Sequence, residues 1–257
     1  MTVLTHTYYM AARHLRALMR QPMYVALTLA QPILYLLLFG ALFQKIVELP
    51  GFGATSYITF LTPGIVVMSA LFGAAWTGMG VLEDIDRGVL DRFLVTPASR
   101  VSLILGILVK QAVVAVIQSA IIVVLGVLVG ARFAGGMPGV VALLVCAVLL
   151  TAPFAALMTA MALAVRKQES VIGASNFILM PLLFLSSVFI ASSLMPPWMR
   201  TVARLNPVDW AAEASRAALG AGADWGMVAS RAGLLVALAI VGLALAMRAF
   251  RGYQRSV

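Results

Sequence analysis

Residues able to do chemistry are few in this chain, and their positions exclude most of what they could do. Both histidines, His6 and His14, stand near the N-terminus, whereas the single cysteine, Cys146, lies far from them inside an apolar run. No HExxH, CxxC or GxSxG spacing occurs, so neither a metal site nor an ordinary nucleophile–base triad can be assembled. The G-x-x-x-x-G-K-[ST] loop that cradles nucleotide phosphates is missing as well, so the chain does not hydrolyse ATP by that route. The nine acids are Glu48, Glu83, Asp84, Asp86, Asp91, Glu169, Asp209, Glu213 and Asp224. None falls inside a long apolar run, where it could carry protons across a membrane, which disfavours a proton-coupled carrier. Charge gathers instead in LEDIDRGVLDRFLVTPASR, residues 82–100, which holds seven of the 27 charged residues (18 basic, 9 acidic). What such a stretch can do is pair with and orient another surface.

The elements that must position it are set by hydropathy. The chain is 63% hydrophobic and 11% charged, with a mean hydropathy of +1.04, more apolar surface than a soluble core of 257 residues could hide. A bilayer core about 30 Å thick needs roughly 20 apolar residues per helical span. Six runs qualify: Met23–Phe43, Tyr57–Leu82, Val101–Val129, Val140–Val165, Val171–Leu194 and Met227–Met247. Their continuous Leu/Val/Ala/Ile character, without alternation, predicts helices rather than a barrel. The first run is too long for a signal-peptide core and lacks a cleavage site, so it reads as a retained span.

A net charge of +9 is first a matter of sidedness rather than of nucleic acid, for which no signal is present. Arg13, Arg16, Arg20, Arg87, Arg92, Arg100, Arg166, Lys167, Arg248, Arg251 and Arg255 all fall on one side of the six runs. Lys45, Arg132, Arg200, Arg204, Arg216 and Arg231 fall on the other. The positive-inside rule then predicts a multi-pass membrane protein with both termini and the charged stretch in the cytoplasm. Before the first run, Leu4, Tyr8, Ala11, Leu15 and Leu18 recur at helical spacing, with Arg13, Arg16 and Arg20 on another face. Residues 1–22 are therefore expected to form an amphipathic helix at the inner leaflet. Lys110 can snorkel to the headgroups, while Gln111 and Gln118, seven apart, can line a polar stripe towards a neighbouring helix or a substrate path. Gly126 and Gly130 form a GxxxG that permits close helix approach, and Pro63, Pro153 and Pro181 can bend their helices.

Within the charged stretch, a helical wheel from Ile85 places Ile85, Val89, Leu90, Phe93 and Leu94 on one half and Asp84, Arg87 and Asp91 on the other. A helix of about three turns is expected, weakened in its middle by Gly88, with Arg87 in reach of Asp84 and Asp91. Thr96-Pro97 reads as an N-cap and first helical residue that starts the third span. Two readings fit: a hydrated loop, or a short helix clamped between two spans that passes on a push at its surface.

Glu83, Asp86, Arg87, Gly88, Leu90, Leu94, Thr96-Pro97 and Ser99-Arg100 resemble the E-x-x-R-G…L…TP-x-SR pattern between spans two and three of ABC-2 type permeases, including daunorubicin-resistance-like drug exporters. Residues 194–219, LMPPWMRTVARLNPVDWAAEASRAAL, are similar to that family's segment between spans five and six, with Pro197-Trp198, Asn206-Pro207 and Arg216 in place. With the N-terminal helix and six spans, the likeness covers nearly the whole chain.

The resemblance implies an all-α integral membrane protein, a single domain over 1–257 with a coupling helix in 83–97 and short external helices in 195–225. It implies that Glu83, Asp84, Ile85, Asp86, Arg87, Gly88, Val89, Leu90, Asp91, Arg92, Phe93, Thr96 and Pro97 meet a cytoplasmic ATP-binding subunit, two copies of which serve a pair of permeases. The pair consists of two copies of this chain, or of this chain and a related permease. ATP and Mg would sit on the partner, with no cofactor in this chain. Pro197, Trp198, Asn206, Pro207 and Arg216 would form an outer gate. The expected cargo is lipophilic or amphipathic, a drug, antibiotic or lipid, with a polysaccharide as the alternative and a non-transporting scaffold as the reading from another class. Phe177 and Phe184, with Gln111 and Gln118, are candidates for its path.

Overall fold

The computed structural model of the chain describes Tyr9, Ala12, Arg16 and residues 22–49, 52, 56–90 and 100–254. Eight α-helices are laid out in full: α1 (Pro22–Leu42), α2 (Tyr57–Asp86), α3 (Arg100–Leu128), α4 (Gly136–Val165), α5 (Gln168–Phe184), α6 (Pro197–Ala203), α7 (Pro207–Leu219) and α8 (Trp225–Gln254). Short 3-10 turns at Gln44–Glu48 and Ser192–Leu194 complete it, and no strand occurs among the described residues. An all-helical backbone keeps its hydrogen bonds internal, as a chain this apolar requires in hydrocarbon. Helices α2, α3, α4 and α8 are long and apolar enough to cross a membrane.

Helix α4, apolar on all sides, packs against α2, α3, α7 and α8, and α2 in turn carries α1, α3 and α7. In the most apolar window of α2, 72% of residues are buried, against 22% in α8, so α2 is the internal rod and α8 lies at the periphery. Gly135 and Gly139 lie so close to the backbone at Ala218 that a Cβ at either would collide with its carbonyl, which seats α4 directly on α7.

Two clusters of buried side chains divide the molecule along its length. One joins the ends of α2, α4 and α8 to the starts of α3 and α5, with Val81, Leu103, Leu163, Val171 and Phe250. The Arg166 guanidinium stacks 4.4 Å from the Tyr253 ring centre there, tying the α4–α5 link to the end of α8. The larger cluster fills the rest and includes rings near the opposite ends, where Phe52 and Phe60 lie 4.9 Å apart and Phe39 and Phe189 5.2 Å apart.

Several expectations change. The fifth apolar run is not one helix to Leu194: α5 stops at Phe184 after 17 residues, about 25 Å, where Asn206 and Ser186 side chains take up the carbonyls of Leu182, Leu185 and Leu183. Helix α2 runs past Leu82 to Asp86 and absorbs the residues expected to begin a separate helix. The two glycines of the GxxxG do different work: Gly126 abuts Thr62 of α2, whereas Gly130, at φ +110°, turns the chain after α3.

Candidate functional site

At one end of the rod, α2 ends in the acidic turn Glu83-Asp84-Ile85-Asp86. Arg87 caps it and forms an ion pair with Glu83, four residues back, the favourable order on a helix. Both side chains are largely exposed, so the pair adds little stability and stays open to competition from a partner's charges. Gly88 follows at φ +62°, its N–H donating to the Ile85 carbonyl at 2.8 Å, and Val89-Leu90 resume helical geometry. The helix expected to run through Gly88 is therefore broken there, because a left-handed residue closes the preceding helix.

Among the described residues of the expected apolar half, Leu90 and Ile85 turn inward. Leu90 is buried in the protein's own cluster with Leu103 and Ile104, and Ile85 packs on it. The exposed set is Glu83, Asp86 and Arg87, with Asp84 and Val89 half-buried. Asp91, Arg92, Phe93, Thr96 and Pro97 lie outside the described residues, as do Arg13 and Arg20, while Arg16 is exposed.

At the opposite end, α7 and the chain leaving α5 form a polar clamp. Asn206 caps α7, its Oδ1 accepting from the Val208 N–H at 2.9 Å, and Pro207 occupies the first helical position. The same side chain donates Nδ2 to the carbonyls of Leu182 and Leu185, at 2.6 and 2.9 Å, so one residue starts α7 and ends α5. Asp209, 1% exposed, accepts from the Ser187 N–H at 2.7 Å.

Arg216 closes the clamp. It donates to the Phe60 carbonyl at 3.2 Å, to Ser187 Oγ at 3.0 Å and to the Val188 carbonyl at 3.0 Å, and its guanidinium lies 3.7 Å from the centre of the Phe60 ring. The residue as a whole is half-buried, yet the guanidinium end is enclosed. Burial lowers its pKa to about 10, against the pull of Asp209 and Glu213, so the cation persists at neutral pH. Gly64 leaves the space: a Cβ there would collide with the Val188 carbonyl and stand 3.3 Å from Arg216 Nη2. The Tyr57 hydroxyl donates to the Phe189 carbonyl at 3.1 Å, fixing the same segment from the other side. Glu213 pairs with Arg231 of α8 at 2.8 Å; burial, then Asp209, raises the Glu213 pKa, opposed by Arg231.

Of the expected gate residues, Asn206, Pro207 and Arg216 come together here, whereas Pro197 starts α6 and Trp198 is 63% exposed. Sequence reasoning missed Asp209, Ser187, Phe60 and Gly64. Gln118 is buried between helices, its Nε2 donating to Thr28 at 3.0 Å and its Oε1 accepting from Ser69 at 3.4 Å, and Gln111 is buried beside Gly73. Both lie against neighbouring helices, while Phe177 and Phe184 are 81% and 61% exposed. An open groove of about 560 Å³ between the starts of α4 and α8 is lined by Met137, Val141, Cys146, Trp225 and other apolar residues. No cluster able to hold a metal occurs among the described residues.

Residues 5–219 match the model of the ABC-2 type transporter family. The chain is 32% identical over 189 residues to the daunorubicin resistance ABC transporter permease protein DrrB1 of Streptomyces coeruleorubidus, covering 72% of this chain and 64% of the relative. It is 30% identical over 203 residues to the putative transport permease ycf38 of Cyanophora paradoxa, covering 77% and 69%. Over 154 residues it is 27% identical to the probable multidrug ABC transporter permease YbhR of Escherichia coli K12, covering 59% and 41%. The aligned part thus spans slightly less than two thirds of the DrrB1 relative's own length. With the motif spacing, the all-helical architecture and a family match over most of its length in agreement, the chain belongs to the ABC-2 type transporter family.

Proposed function

We propose that this chain is the membrane permease of an ATP-driven exporter for lipophilic or amphipathic molecules. It crosses a bacterial cytoplasmic membrane six times, with α1 and α5 as the two spans beyond the four long ones and both termini in the cytoplasm. Two permeases pair, each copy meeting an ATP-binding subunit that carries ATP and Mg. The chain is one transmembrane domain over 1–257, with an inner-leaflet helix in 1–22, a coupling region in 83–97 and an external segment in 195–225.

The observation that carries this reading is α2 itself. A 30-residue helix presents Glu83, Asp86 and Arg87 to solvent at one end and is held through Phe60 and Tyr57 in the clamp at the other. A helix of this length spans about 45 Å, so a load at the charged turn reaches the clamp without a flexible linker. Nucleotide can drive transport only if it favours one conformation of the permease over another, and the charged turn is where that bias enters. Relatives bearing the names of daunorubicin resistance and multidrug permeases support a drug-like cargo.

The test is reconstitution in liposomes with an ATP-binding subunit. Arg87→Glu should leave insertion and folding intact while removing most of the cargo-stimulated ATPase. Full stimulation in that variant, or full-rate movement of cargo with no ATP-binding subunit present, overturns the reading.

A further inference from the structure

Buried hydroxyls in this protein have a usual solution. Thr62, Thr151, Ser175 and Ser215 each donate to the carbonyl four residues earlier, at 2.6–2.7 Å. Thr77 does not: its Oγ1 is buried with no hydrogen-bond partner among the described residues. The same holds for Nε2 of Gln111, a side chain 6% exposed, and for the hydroxyls of Ser119 on α3 and Thr159 on α4. Such groups are costly unless something satisfies them.

Thr77 and Gln111 share one seam. A Cβ added at Gly73 would stand 2.9 Å from Gln111 Nε2, so the amide lies against α2 at that glycine. Thr77 is one turn further along the same face, and helical side chains lean towards the helix N-terminus, which carries its hydroxyl back towards Gly73. Cβ positions one turn apart are separated by about 5–6 Å, a spacing that one water molecule bridges between two polar groups.

Gly80 continues the stripe, and a Cβ there would meet nothing within 4 Å. Next along it comes Asp84, in the acidic turn that ends α2. Beyond Gly73 the polar line goes on through direct contacts, Ser69 to Gln118 and Gln118 to Thr28.

We infer that the α2–α3 seam is a binding site for internal water, with one molecule bridging Gln111 Nε2 and Thr77 Oγ1 and reaching it from the Glu83–Asp84 end through the gap at Gly80. The site follows from packing and does not depend on what the chain transports. Its consequence is a graded seam, bonded directly near Ser69 and through solvent near the charged turn, so α2 and α3 part most readily at the charged end.

The sign of a stability change tests it. If nothing satisfied these groups, Thr77→Val or Gln111→Leu would raise the Tm, since removing an unsatisfied polar group is favourable. With a bridging water, each single change lowers the Tm of the protein in nanodiscs by roughly 2–4 °C, and the double variant loses no more than the larger single. A rise in either single variant, or additive losses, overturns the inference. Should these variants fail to fold, Gly80→Cys in a Cys146→Ala background reads the entrance: a membrane-impermeant methanethiosulfonate reagent labels it, whereas Ala74→Cys, in the dry core, stays unlabelled. An inert Gly80→Cys also overturns the inference.

Discussion

Arg216 shows how much one side chain can hold when its partners come from remote parts of the chain. The acceptors it joins lie 156, 29 and 28 residues away in sequence. Arg216→Ala would strand these groups and leave Asp209 buried without its nearby cation, a loss of about 3–5 kcal/mol measured by thermal unfolding. Lysine should not restore the clamp, because an ammonium cannot present three donors in a plane and stack on Phe60. Glu213 gives a prediction in pH. Its raised pKa means that the native protein holds this proton more tightly than the unfolded chain does. Its contribution is therefore full below the ordinary glutamate value of about 4.3 and is lost as pH rises through the raised value. Glu213→Gln should flatten that part of the Tm–pH curve, and an unchanged slope would contradict the assignment. Arg216 and Asn206 could be singled out from sequence motifs. Asp209 was within reach too, as an acid three residues after an Asn cap, but its bond to the Ser187 N–H was not.

At the scale of elements, the sequence marked out the charged stretch but not its shape: α2 runs on to Asp86 and the chain breaks at Gly88. The wheel from Ile85 put Ile85 and Leu90 on the apolar half, and the structure packs both into the protein's own cluster with Leu103 and Ile104 of α3. Periodicity reports that a face is apolar; it does not report what covers it. The break at Gly88 follows from its left-handed backbone, which a Cβ opposes. Gly88→Ala should cost roughly 1–2 kcal/mol of local stability. Proline cannot adopt that φ at all, so Gly88→Pro should insert normally yet lose more of the cargo-stimulated ATPase than Gly88→Ala. Equal ATPase in the wild type and both variants would show that the shape of this turn does not matter for coupling.

For the whole molecule, the links between helices gather at two opposite ends. The charged turn, the α4–α5 link and the end of α8 gather around one cluster, and the clamp, the Gln44–Glu48 turn and the α7–α8 link lie at the opposite ends of the same helices. In a Cys146→Ala background, Arg87→Cys should react with an impermeant thiol reagent only from the cytoplasmic side and Gly222→Cys only from outside. Labelling of both from one side would refute the six-span arrangement.

The sequence by itself determined that this is a helical membrane protein, which family it resembles, and where three of its four long apolar helices begin and end to within four residues. Those properties follow from local hydropathy, motif spacing and charge, which need no knowledge of neighbours. Only the tertiary structure decided that α5 stops at Phe184, that Leu90 faces inward, and that Arg216, Asp209, Ser187 and Phe60 share one clamp. In each case the deciding partner lies far along the chain, and burial and hydrogen bonding depend on what stands nearby in space.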